Sequence, residues 1–198
     1  MITFPSSVIK PKRITWGLIS NVQSFPSPLT GATQTLRIPG ERWRFVFYWE
    51  DLDDTNMADL TAFIVQARGG AERFKLGDLY RTTPRGAGGG TPLVAGASQS
   101  GASLTTDGWP NSTLVLKRGD FFEVNGELKM VVADVTSNGT GQATVTFEPP
   151  LRASPADNAP LTTASPGATF RLEEPKNEWD HQAGFATNVT LTAVESWI

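Results

Sequence analysis

Leu116-Lys-Arg-Gly-Asp-Phe-Phe-Glu-Val-Asn-Gly-Glu-Leu-Lys-Met-Val-Val132 reads as two short strands joined at Asn125-Gly126. Asn-Gly takes the positive φ angles of a tight hairpin turn at little steric cost, and apolar residues flank it on both sides. A second group of turn residues, Ser137-Asn-Gly-Thr-Gly141, precedes Ala143-Thr-Val-Thr-Phe147, in which Ala143, Val145 and Phe147 share one face. The stretch from roughly Trp109 to Leu172 is therefore a β module. Glu123 and Glu127, beside the turn, are expected on its solvent face. Pro149-Pro150 stop the strand after Phe147, and Ser154 to Pro166 reads as a Pro/Ala/Ser-rich loop.

Upstream, Thr3 to Pro39 is rich in Pro, Ser and Thr and reads as short strands and turns. In Arg42-Trp-Arg-Phe-Val-Phe-Tyr-Trp-Glu50 the alternation of Trp43, Phe45, Phe47 and Trp49 predicts a half-buried strand whose aromatic face forms a first core. A helix is predicted at about 55–68: Asp54 or Thr55 caps its first amides, Met57, Leu60, Ile64 and Ala67 recur at helical spacing, and Gly69-Gly70 end it. The acidic residues Glu50, Asp51, Asp53 and Asp54 lack the spacing of a calcium loop and read as helix capping. Arg85-Gly-Ala-Gly-Gly-Gly90 reads as a flexible connector, since no Lys-Ser/Thr follows it as in a phosphate cradle. Gly90 to Asp107 reads as an extended passage out of the first domain. Asn188-Val-Thr-Leu-Thr-Ala-Val-Glu-Ser-Trp197 alternates as a strand and is expected to return to the first sheet. The middle is then an insertion, with boundaries at 1–89 plus 173–198 and at 90–172.

Composition narrows the function. The chain has 198 residues, a net charge of -3 and no cysteine. Non-specific nucleic-acid binding through a basic surface is disfavoured, and so are disulfides and thiolate metal sites. No stretch approaches about 18 consecutive apolar residues, and Met1 to Ser7 lacks the pattern of a signal peptide, so a soluble protein made in a cytoplasm is expected, without membrane partners.

Chemistry is sparse. The one histidine, His181, has no Gly-x-Ser-x-Gly elbow to serve, and a lone imidazole makes no His-rich metal site. No catalytic, cofactor or metal residues are assigned, and the chain is read as not an enzyme. Glu123, Glu127 and Asp134 lie near the hairpin, where paired carboxylates for glycoside hydrolysis would need to face one another. Trp109 and Trp179 adjoin loops and are the candidate sugar-stacking rings, whereas Trp16, Trp43 and Trp49 read as core.

The order of motifs resembles that of distal tail proteins of long-tailed bacteriophages and phage-like particles: Pro39-Gly-Glu-Arg-Trp43, the helix, Gly77-Asp78, Thr83-Pro-Arg-Gly86, Gly90-Thr-Pro-Leu-Val-Ala-Gly-Ala-Ser-Gln-Ser-Gly101, Asp107-Gly-Trp109, Leu116-Lys-Arg-Gly-Asp120, Gly126-Glu-Leu-Lys-Met-Val131, Pro149-Pro-Leu-Arg152 and Phe170-Arg-Leu172. The resemblance covers nearly the whole chain and rests on order and spacing more than on any single motif. It implies a mainly β fold: a β-sandwich ring-forming domain with one packed α-helix, plus an inserted small β-barrel-like domain. It also implies a structural virion protein of the tail tip, assembled in the bacterial host cytoplasm. Such a protein forms a homo-oligomeric, hexameric ring that joins the tail tube protein to the tail hub protein and lets DNA pass. No cofactor and no specific nucleic-acid binding are implied. The alternative is a carbohydrate-binding accessory module of the virion, carried by Trp109 or Trp179. Lys10, Lys12 and Arg13 form the one local basic cluster and are expected at a subunit or ring contact, with no basic band around the channel.

Overall fold

The computed structural model describes residues 1–5, 10–180 and 188–197. Among these residues the fold is mainly β with one α-helix. The elements in order are β1 (Arg13–Pro26), β2 (Thr33–Trp49), α1 (Asp54–Ala67), β3 (Phe74–Gly77), β4 (Leu93–Val94), β5 (Ser103–Asp107), β6 (Leu114–Leu116), β7 (Phe121–Val124), β8 (Glu127–Val131), β9 (Val135–Thr136), β10 (Ala143–Glu148), β11 (Leu161–Thr162), β12 (Gly167–Leu172) and β13 (Val189–Glu195). One antiparallel sheet runs β1-β2-β13-β12-β3. A second runs β11-β7-β8-β10-β5-β4, and β6 pairs with β9. A bridge between Leu93 and Pro160 joins the two ends of the six-stranded sheet, with Val94 N–H donating to Ala159 O at 2.9 Å and Leu161 N–H to Pro92 O at 2.9 Å. That closure makes it a nearly closed barrel-like sheet.

The first sheet and α1 share one aromatic core. Trp43, Phe45, Phe47 and Trp49 fall on the buried face of β2, in one cluster with Met57, Leu60 and Ile64 of the helix. The rings of Phe4, Phe63 and Phe74 pack edge-on or stacked on one another at centroid distances of 5.1–5.6 Å, and Phe4 lies tilted against Phe47 at 5.3 Å. The helix begins one residue earlier than its sequence implied. Asp53 is the cap and its Oδ1 accepts from the Asn56 amide at 2.8 Å; Arg68 adopts the left-handed conformation that ends it. The hairpin β7–β8 turns at Asn125 and Gly126, with φ of 51° and 72°. β10 has the alternation expected of it, and the terminal strand β13 pairs with β2.

Three expectations change. The Pro-rich N-terminal stretch is not a series of short strands: β1 and β2 pair over almost their whole lengths as one long hairpin. Its prolines interrupt little, because Pro26 ends a strand, Pro28 lies in the turn and Pro39 sits where the register shifts. The boundary expected at Leu172 falls after β12, but β12 is hydrogen bonded between β13 and β3 in the first sheet. Replacing all of Gly90 to Leu172 would therefore take out an interior strand. Finally, Arg85 to Gly90 is pinned down instead of being a loose connector. Asp120 accepts from the Arg85, Gly86 and Lys117 amides at 3.0, 3.1 and 2.8 Å and from Arg85 Nε at 3.2 Å. A Cβ on Gly86 would overlap the Val115 carbonyl, so the glycine is there to let two backbones touch.

Asp120 is buried. Burial pushes its carboxyl up, yet the amides of Lys117, Arg85 and Gly86 together with the Arg85 guanidinium outweigh that, and its pKa lies below the ordinary carboxylate value. A depressed carboxyl stabilises the fold above its unfolded pKa, about 3.9, and the contribution is lost as pH falls through the folded value. Asp120→Asn should therefore cost about 1.5–3 kcal/mol at pH 7. In urea melts the gap from the parent should close below the folded pKa; a gap independent of pH would show that charge is not what matters there.

Candidate assembly surface

Trp109 is buried, and its Nε1 donates to Thr106 Oγ1 at 2.8 Å inside the barrel. It is no stacking platform, because a ring that closes a core has no free face. Phe121, Phe122, Phe147 and Phe170 are buried as well, so no aromatic ring between Gly90 and Leu172 is open to a sugar. Trp179 is 39% exposed. His181 lies outside the described residues. Among the described residues no group of three or more His, Cys, Asp or Glu is placed to hold a metal ion. Asp53 caps the helix, and Glu50 pairs with Lys12, whose Nζ also lies 3.8 Å from Asp51. Lys12 thereby has its partners within its own chain.

Glu123 and Glu127 are not solvent-face residues. Glu123 ties the barrel to the first sheet through Lys75, at 2.8 Å, and the Gly167 amide, at 3.1 Å. Glu127 and Lys129 are both buried, 2.6 Å apart, and Lys129 also donates to Pro150 O at 2.8 Å. Burial pushes the Lys129 ammonium down, against the pull of Glu127. Arg152 Nη1 donates to Glu195 Oε1 at 2.7 Å, and Glu195 Oε2 accepts from the Trp43 amide at 3.1 Å. Trp43 Nε1 in turn donates to Leu128 O at 2.8 Å. On the opposite face of β8, Leu128 belongs to the first core and Met130 packs against it; beside them Phe121 stacks on Trp16 at 4.8 Å. β8 thus has both faces covered, one by the barrel and one by the aromatic core of the first sheet.

Among the described residues, one surface that this arrangement leaves open is the far end of the β1–β2 hairpin. Beyond a register break between Ile19 and Asn21, every residue of the ribbon from Asn21 to Ile38 is exposed except Ser27, which is half-buried. Direct cross-strand partners share a face. The pairs Asn21–Ile38, Gln23–Leu36 and Phe25–Gln34 therefore place Phe25, Leu36 and Ile38 together on one face, interleaved with three amides. Their exposures are 54%, 52% and 38%. None of the chain's 17 basic and 20 acidic residues lies between Gly17 and Leu36. The first charge is Arg37, on the other face with Val22.

Register also places Arg13, Arg42, Arg44 and Arg171 on the face of the first sheet opposite the core. Arg44 is neutralised by Glu173 at 2.6 Å, and Arg13 and Arg42 lie over the rings of Tyr48 and Trp197 at 5.4 and 4.6 Å. The sequence does not reveal this clustering because the residues come from separate strands; only the pairing register brings them together. No protein-family model and no curated protein matches the chain.

Proposed function

We propose that the protein is a structural component of a phage tail tip that assembles into a closed ring between tail tube and hub and leaves a path for DNA. The observation that carries this reading is the uncharged arm. An isolated two-stranded ribbon is marginally stable in water. Charge depletion with clustered apolar side chains is the composition of a surface that becomes the core of an interface. A second copy of the chain is the occupant that suits it. The arm extends beyond the part of β2 that pairs with β13; docked on a different surface of the next copy, such contacts run head to tail and close into a ring when the rotation allows. Motif order supports the same reading and supplies the tail-tip setting and the hexameric expectation.

The carbohydrate-binding alternative has lost Trp109 and keeps Trp179 alone among the rings first considered. Sedimentation and native mass measurement at rising protein concentration test the ring. The parent chain should form a single closed species, whereas Phe25→Asp/Leu36→Asp should remain monomeric with its melting unchanged, since both side chains are exposed in the monomer. DNA should not be bound in a salt-sensitive manner at about 0.15 M salt. A parent that stays monomeric even with tube and hub proteins present would remove the ring.

A further inference from the structure

The arm leaves the body of the sheet at the register break between Ile19 and Asn21, and such a break is where a two-stranded ribbon bends and changes its twist. Beyond it, among the described residues, the ribbon's salt bridges are those of Arg37. Its Nε and Nη2 donate to the two oxygens of Glu41 at 2.7 and 2.8 Å, and Nη2 also donates to Glu148 Oε2 at 2.7 Å. Glu41 is at the arm's root and buried, while Glu148 ends β10 on the barrel. One planar guanidinium therefore fastens the arm to both, and its forked geometry resists rotation.

Glu148 opens the segment Glu148-Pro-Pro-Leu-Arg152, whose other contacts reach the rest of the molecule. The Pro150 carbonyl holds Lys129, the Arg152 amide donates to Glu127 at 3.1 Å, and the Arg152 guanidinium holds Glu195 of β13 and lies 4.3 Å from the Trp197 ring centroid. Two successive prolines fix φ and stiffen the run. A cleft of about 720 Å³ separates the arm root from this segment. The arm is thus not packed onto the barrel there, and the Arg37–Glu148 pair spans the gap. We propose that Glu148–Arg152 is a brace that fixes the direction of the arm relative to barrel and sheet. Resting on the assembly reading above, the brace gives the barrel a part in ring formation. The apolar face of the arm is presented already oriented, which lowers the ordering cost of docking on a second copy.

The chain has no cysteine, so paired spin labels on Leu29→Cys at the arm's turn and Thr144→Cys on β10 report their separation in the full chain. Pulsed electron resonance on dilute, monomeric protein should give one narrow distance distribution in the parent. Adding Glu148→Gln, which leaves the Arg37–Glu41 pair in place, should broaden it at least about twofold. Arg37→Lys, which keeps a cation for Glu41 but loses the fork, should broaden it too. Melting should move by less than about 4 °C, the most an exposed pair supports in a chain of this size. Assembly of unlabelled Glu148→Gln should weaken about fivefold at each contact. Equal widths in parent and variants would overturn the brace. Broadening with unchanged assembly would leave the brace standing and count against the arm as the ring contact. A parent that forms no rings would count against the assembly reading alone, because the widths still decide the brace.

Discussion

Phe45→Ala should remove so much stability that little soluble protein remains. Phe45 is fully buried, with Trp16 edge-on at 4.2 Å and Phe170 at 4.9 Å from its ring centroid. Truncating a buried Phe typically costs about 3–5 kcal/mol, through lost transfer energy and the cavity left behind. That is comparable with the whole stability of a marginal domain, about 5–15 kcal/mol. Trp16 and Phe47 resist collapse into the space, since Trp16 is also held by Trp43 and Phe121 and Phe47 by Phe4 and Trp49. Phe45→Leu, which refills most of the volume, should lose markedly less. Urea midpoints measure both, and a midpoint for Phe45→Ala equal to the parent's would mean that this ring is not part of the core.

Lys129→Ala should be about as damaging, for an electrostatic reason. Lys129 has no exposed surface and sits 2.6 Å from Glu127, itself buried. Removing the ammonium leaves the Glu127 carboxylate facing the Arg152 amide, 3.1 Å away, and the Arg152 guanidinium, whose Nε is 3.8 Å off and whose main partner is Glu195. Breaking a buried pair in this way typically costs about 3–5 kcal/mol, because an undercompensated charge remains in a low dielectric. The double variant Lys129→Met/Glu127→Gln removes both charges, keeps an acceptor for the Arg152 amide and should recover most of the loss. Calorimetric melting of the single and double variants decides the matter. If the double variant is no better than Lys129→Ala, the loss comes from packing and the Pro150 hydrogen bond instead of from the stranded charge.

Much of the secondary structure is legible in the chain because it is set by neighbours in sequence. Asn125-Gly126 turns the β7–β8 hairpin, Trp43 to Trp49 alternate into the core, and an aspartate opens α1. The return of β13 to the first sheet is readable too, from its alternation and its position after the last Pro-rich break. These features depend on periods of 2 and 3.6 residues and on turn chemistry, which a single strand or helix carries within itself.

The functional surface is less legible. The stretch from Thr3 to Pro39 reads as short strands and turns because prolines and hydroxyl residues separate its apolar residues, and only the pairing of β1 with β2 gathers Phe25, Leu36 and Ile38 on one face. Glu127 and Lys129 alternate with Leu128 and Met130 just as a solvent-exposed strand would. It takes the docking of the barrel against the first core to cover both faces of β8 and turn that polar row into a buried ion network. Trp109 stands beside loop residues in sequence yet closes the barrel in space. Local periodicity and turn chemistry determined the strand at Trp43 to Trp49, the β7–β8 hairpin, β10, β13 and the helix. Which of their faces meet water was decided by tertiary packing, because burial depends on what lies across the fold and not on what lies next along the chain.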